Sequence, residues 1–194
     1  MRDKRKLGDA LSCSAPIGGW KMKFRKALLI GALALVPLAL SAKVEVGQPA
    51  PDFTLTSQDG NQVSLSQFKG HWVVLYFYPK DFTSGCTVEA HKFQDDQDKY
   101  KALDAAIVGV SVDTADSHKQ FCTKEGLTFK LLADPTAKVP AEYDSIMEYQ
   151  GTKLAARHTF LIDPSGKVVK SYMEVNPKNH SEQVLADLAS LQKK

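Results

Sequence analysis

The chain is poor in cysteine, with three in 194 residues: Cys13, Cys86 and Cys122. None stands in a Cys-x-x-Cys pair, because Ser84 and Gly85 precede Cys86 and Thr87, Val88 and Glu89 follow it. That excludes the dithiol motif of a thioredoxin-type disulfide oxidoreductase. Its five histidines, His71, His91, His118, His158 and His180, show no metal-ligand spacing, so no metal or other cofactor is expected. A copper(I) carrier would want two preorganised thiolates and a histidine, and Cys86 and Cys122 are 36 positions apart. A thiol hydrolase would need an oxyanion motif beside the cysteine, and none is present. No repeat or low-complexity segment appears. Charge of either sign is also scarce in excess, at a formal +3. Residues 1–42 hold eight Lys/Arg against two acids, which leaves 17 basic and 20 acidic residues beyond them. The body is mildly acidic, and nucleic-acid binding is not expected.

What is present begins with a leader. "KMKFRK" is a basic stretch, and "ALLIGALALVPLALSA", Ala27 to Ala42, is an uncharged run of sixteen residues. A spanning helix needs about 20 such residues, whereas a signal peptide's apolar region is shorter. Cleavage after Ser41 puts Ala39 and Ser41 at the small-residue positions; cleavage after Ala42 puts Leu40 there. Met22 is a candidate start, and an uncleaved anchor is disfavoured by the short span and Pro37. The expectation is a leader over 1–42, with the signal peptide within 22–42, and one exported, periplasmic domain over 43–194 with no stable membrane anchor after cleavage. Cys13 falls in the leader, without the apolar run of a lipoprotein signal. Cys86 and Cys122 remain, as a structural disulfide or as a working redox pair.

Along the body, "DFTL" and "QVSL" flank Asp59-Gly60-Asn61 as a hairpin. "HWVVLYFYP", His71 to Pro79, is nearly continuous in apolar, β-branched and aromatic residues, the pattern of a central strand covered on both faces. "CTVEAHKFQDDQDKYKAL" contains no Gly or Pro and predicts a single helix from Cys86. "AAIVGVSVD" is a second buried strand, and Asp113 or Thr114 caps the helix "ADSHKQFCTKE", which Gly126 ends. "LTFKLLAD" is a short strand; "RHTFLID" and "KVVKSYMEV" form a hairpin; "SEQVLADLASLQ" is a closing helix. This alternation predicts an α/β fold, a thioredoxin-like sandwich with a central mixed β-sheet flanked by helices.

Cys86 sits where the strand gives way to the helix. Unpaired N–H groups and the helix dipole favour a thiolate there. Gly85 lets the backbone approach a ligand, Thr83 offers a hydroxyl to the sulfur or to an oxygen beside it, and Pro79 helps wall the site from water. An inert buried cysteine is the plainer alternative, but these neighbours together favour a nucleophile.

Pro79, Thr83 and Cys86 reproduce the P-x-x-x-[T/S]-x-x-C signature of peroxiredoxins, and "FYPKDFTSGCTVEA" most resembles the peroxiredoxin Q, or bacterioferritin-comigratory-protein, group. The likeness continues through "VGQPAPDFTL", "GVSVDTADSHKQF", "GLTFKLLAD" and "RHTFLIDPSGKV". It implies a thiol peroxidase for hydrogen peroxide and organic hydroperoxides. Cys86 would become a sulfenic acid, with Thr83 and the backbone at Gly85 and Cys86 binding peroxide and Pro79 shielding the site. Arg157 matches the family's active-site arginine, and Glu89 matches a frequent glutamate that orients it. Many members carry a resolving cysteine five positions after the first, where this chain has His91. A second subset uses the following helix, where Cys122 lies, so the resemblance implies an intramolecular Cys86–Cys122 disulfide. Forming it would require local unwinding around Cys86, and a thioredoxin-like or other dithiol reductant would reopen it. A monomer is expected. A redox sensor or holdase would use the same cysteine against a protein target.

Overall fold

The apolar run after His71 makes the strand on which the rest of the domain is assembled. A computed structural model describes residues 44–193, so the leader lies outside the described residues. It contains β1 (Thr54–Ser57), β2 (Gln62–Ser64), β3 (Trp72–Phe77), β4 (Ala105–Ser111), β5 (Lys130–Ala133), β6 (Ile146–Tyr149), β7 (Thr152–Ala155), β8 (Thr159–Ile162) and β9 (Val168–Tyr172). The helices are α1 (Ser84–Asp95), α2 (Gln97–Ala102), α3 (Ala115–Glu125), α4 (Lys138–Glu142) and α5 (His180–Leu191). Seven strands form one sheet in the order β2-β1-β5-β4-β3-β8-β9. β3 pairs parallel to β4 and β4 to β5, while the pairs β3–β8, β8–β9, β1–β5 and β1–β2 are antiparallel. The expected mixed sheet flanked by helices is what forms.

Successive β3 side chains point to opposite faces, so one run of sequence seeds two cores. Val74, Tyr76 and Tyr78 pack with Cys86, Ala90, Phe93, Phe121, Cys122, Val184 and Leu188. Val73, Leu75 and Phe77 pack with Phe53, Val110, Tyr143 and Phe160 on the other face. Each such large apolar side chain, taken from water, contributes roughly 1.5–3 kcal/mol. Tyr76 lies across β4 at Gly109, where a Cβ would stand 2.7 Å from the Tyr76 ring and 2.6 Å from Leu131 Cδ2. Only glycine admits that crossing.

The helix expected to run unbroken from Cys86 starts earlier, at Ser84, and is interrupted at Asp96. Asp96 accepts from Ser181 Oγ at 2.8 Å, and α2 turns away so that Tyr100 can be buried and donate to the Ser181 carbonyl at 2.9 Å. The β6–β7 hairpin and α4 have no counterpart in the sequence reading. The hairpin turns at Gln150 and Gly151, both at positive φ, and most of its side chains are exposed. The other predicted elements are present. Thr114 caps α3 by accepting from the Ser117 amide at 3.2 Å, and Gly126 closes that helix in the left-handed conformation.

Candidate active site

β3 delivers its chain into the loop Pro79–Thr83, and the loop turns back into α1. The first helical bond of α1 runs from the Thr87 amide to the Thr83 carbonyl at 2.9 Å. The amides of Ser84, Gly85 and Cys86 therefore have no helical partner. Cys86 is the third residue of the helix and is 2% exposed. Pro79, at the start of the loop, is half-buried and Thr83, at its end, is exposed. The Thr83 hydroxyl donates to the Lys80 carbonyl at 2.9 Å, not to the sulfur. What it offers a ligand is its acceptor lone pairs.

Arg157 arrives from the neighbouring strand, 71 positions along the chain from Cys86. β8 pairs antiparallel with β3, and the Phe77 amide donates to the His158 carbonyl at 2.8 Å, which fixes the segment just before β8 against the end of β3. From there Arg157 Nη2 donates to Cys86 Sγ at 3.2 Å, and Nη1 makes a short ion pair with Glu89 Oε2. Glu89 follows Cys86 by three positions, on the same face of α1. A Cβ on Gly85 would stand 3.3 Å from Arg157 Nη2, so the glycine leaves room for the guanidinium. Cys86, Glu89, Gly85 and Arg157 are thus brought together, with Pro79 and Thr83 on the loop that leads into them.

Glu89 is 1% exposed, and its Oε1 has no hydrogen-bond partner. Burial raises its pKa to about 7, against the opposing pull of Arg157. The carboxyl thus changes charge near neutrality, and ionisation strengthens its hold on Arg157.

Cys122 lies on α3, buried and unbonded to Cys86. Burial, reinforced by the charge of Asp81, pushes its thiol up to about 12. The Tyr76 hydroxyl, buried in the same core as both cysteines, has no hydrogen-bond partner. Sequence reasoning missed a second polar cluster behind the loop, in which Asp81 joins Tyr78, Ser117 and His118. The signal for it was faint: an aspartate within the motif and a histidine on the next helix. Among the described residues, no group of three or more His, Cys, Asp or Glu is placed to hold a metal, and no helix is long and apolar enough to cross a membrane.

Residues 46–171 match the AhpC/TSA family. Peroxiredoxin Bcp of Bacillus subtilis is 40% identical over 158 residues, covering 78% of this chain and 99% of its own. The chloroplastic peroxiredoxin Q of Populus jackii is 41% identical over 174 residues, covering 89% of this chain and 81% of its own. The chain is a peroxiredoxin of the peroxiredoxin Q/Bcp group. Two solved structures of Xanthomonas campestris peroxiredoxin Q, each with a single cysteine-to-serine substitution, superpose with TM-scores of 0.70 at 36% identity, covering 78% of this chain and 99% of theirs. As a peroxiredoxin it is a thiol peroxidase, reducing peroxides through peroxidatic and resolving cysteines on a thioredoxin-like fold.

In this peroxiredoxin, ionised Glu89 should matter to rate. The oxidation rate of Cys86 is expected to rise through pH 7 as Glu89 loses its proton and fastens Arg157. Glu89→Gln should remove that rise and slow the reaction at pH 8 about tenfold, as expected for losing one charge-assisted hydrogen bond. Superimposable pH profiles, measured by thiol alkylation after rapid mixing with peroxide, would show that Glu89 has no such part.

Proposed function

We propose that Cys86 is the peroxidatic cysteine and Cys122 its resolving partner. The observation that carries the first assignment is Arg157 Nη2 at 3.2 Å from Cys86 Sγ, with the same guanidinium paired to Glu89. The thiolate attacks the terminal peroxide oxygen; the O–O bond breaks, Cys86 becomes a sulfenic acid, and the other oxygen leaves as water or alcohol after taking a proton. Arg157 stabilises the thiolate and the charge moving to the leaving oxygen. Amides of Gly85 and Cys86 and the Thr83 oxygen hold the peroxide, and Pro79 limits the entry of water. The Cys122 thiol then attacks the sulfenic sulfur, water leaves, and an intramolecular disulfide forms. A thioredoxin-like or other dithiol reopens it by exchange. Support for Cys122 comes from spacing: the two cysteines replaced in the Xanthomonas structures are 36 positions apart, as are Cys86 and Cys122. The basic stretch and sixteen-residue apolar run of the leader support export to the periplasm.

Intact mass after one equivalent of hydrogen peroxide tests the cycle. Loss of two hydrogens, with both thiols blocked to alkylation, is the expected result. Gain of oxygen would leave Cys86 peroxidatic and remove Cys122 from the cycle, and no rapid change would overturn both assignments. On protein taken from cells making the full chain, the same measurement reads the N-terminus. A start at Ala42 or Lys43 supports export, whereas a start at Met1 or Met22 opposes it.

A further inference from the structure

The loop that carries Cys86 into α1 is held from the helix that carries Cys122. Asp81, 4% exposed, accepts from Tyr78 Oη at 2.7 Å through one carboxylate oxygen. Through the other it bonds Ser117 Oγ at 2.7 Å and His118 Nδ1 at 2.9 Å, both on α3. Its amide donates to Asp113 Oδ2 at 2.9 Å, and Ser111 Oγ fixes that same oxygen at 2.7 Å. The next residue, Phe82, sits at φ 60° and lays its ring edge-on to Phe121 with centroids 5.1 Å apart; Lys124 Nζ is 5.4 Å from the Phe82 centroid. Further along α1, His91 Nε2 meets Glu125 Oε2 at 2.9 Å. The seam therefore fastens α3 to the loop and α1 at three successive levels, and Cys122 lies within it.

None of these groups bonds the Cys86 sulfur, so the seam stands outside the peroxide chemistry. It does bear on the second step. A disulfide needs the two Cα atoms within roughly 7 Å and its sulfurs about 2.05 Å apart. Here the thiols are separate and each is fixed in a packed helix. With its loop fastened, Cys86 is held beside Arg157, its sulfur 3.2 Å from Nη2. The weakest backbone in the seam is the loop itself, since a non-glycine residue at positive φ is held there only by its surroundings. Phe82 would relax on release, and the Asp81 carboxylate is the group that opposes release most strongly, through three hydrogen bonds in a buried setting.

We propose that Asp81 is a positioning residue of the resolving step: its bonds to Ser117 and His118 latch the Cys86 loop onto α3 and set how often Cys86 is freed to meet Cys122. The inference rests on the reading of Cys122 as the resolving cysteine. With the latch closed, Cys86 stays beside Arg157 and meets peroxide; with it open, the sulfenic acid reaches the second thiol. Weakening the latch should therefore speed disulfide formation and leave peroxide oxidation nearly untouched, because the closed form still dominates. A residue that merely supports the fold would slow both steps together.

The test is Asp81→Asn, with one equivalent of peroxide, acid quench and mass readout of sulfenic and disulfide forms over time. Disulfide formation is expected to quicken about tenfold, the worth of one charge-assisted hydrogen bond, with Cys86 oxidation within about twofold of wild type. Conversion to sulfinic acid at high peroxide should fall by a similar factor. Ser117→Ala removes one bond to the same carboxylate without altering the loop, and should show the same change at smaller size. It decides the matter alone if Asp81→Asn does not fold. Unchanged disulfide rates in folded variants, or equal slowing of both steps, would overturn the latch. Wild-type protein that forms no disulfide would instead overturn the Cys122 assignment and the latch with it.

Discussion

Arg157→Gln is expected to slow the oxidation of Cys86 by peroxide about 10²–10³-fold, the usual loss when one preorganised donor is removed from a developing oxyanion. Arg157 is held where charge must move: Nη2 is on the sulfur and Nη1 on Glu89. In the reactant the negative charge is on sulfur; as the O–O bond breaks, it shifts to the leaving oxygen. A guanidinium serves both positions without reorienting, and its charge does not depend on pH in the working range. The half-buried setting strengthens the interaction relative to water. Arg157→Lys should recover little, because one ammonium cannot fork to both partners. The substitution also leaves Glu89 buried without its cation, so the Arg157→Gln/Glu89→Gln double variant is the control that separates fold from rate. Rapid mixing with peroxide, followed by quench and alkylation, reads the second-order rate. A value for the folded double variant within about threefold of wild type would remove the arginine from the chemistry.

How far the sequence showed this arrangement depends on where each residue's partner lies. β3 was legible because both of its faces are buried, and a strand buried twice is written as a continuous apolar run. The break between α1 and α2 was not, because it answers to Ser181, 85 positions from Asp96. β6 and β7 are mostly exposed and carry no alternating apolar signal for a pattern to find. Cys86, Thr83, Pro79 and Glu89 stand in one short stretch, but the arrival of Arg157 at the sulfur and at Glu89 depends on the β3–β8 pairing. A glutamate in the first turns of a helix ordinarily reads as a solvated residue, and nothing local announces that Glu89 is buried. Asp81 and His118 are likewise ordinary in sequence. Their contact spans 37 positions and exists because α3 docks on the loop.

The pH dependence of disulfide formation should show whether Cys122 attacks from a buried resting state. An exposed thiol titrates near 8.5, so its attack rate would level off above that pH. In the closed structure burial holds the Cys122 thiol up at about 12. Opening frees it to ionise near its ordinary value. Between the two, opening releases a proton, so the open form binds fewer protons and the closed form loses stability as pH rises, by about 1.4 kcal/mol per unit. The concentration of open thiolate then grows tenfold per pH unit without a break at 8.5, provided that opening is faster than attack. Disulfide formation is therefore expected to quicken about tenfold from pH 8.5 to pH 9.5, whereas a pre-exposed thiol would gain less than about twofold. Quenched samples, with free thiols alkylated and disulfide read by intact mass, give the rate at each pH. A plateau above 8.5 would mean that Cys122 already faces water before Cys86 is oxidised, and that the buried thiol of the closed structure is not the form from which the enzyme resolves its sulfenic acid.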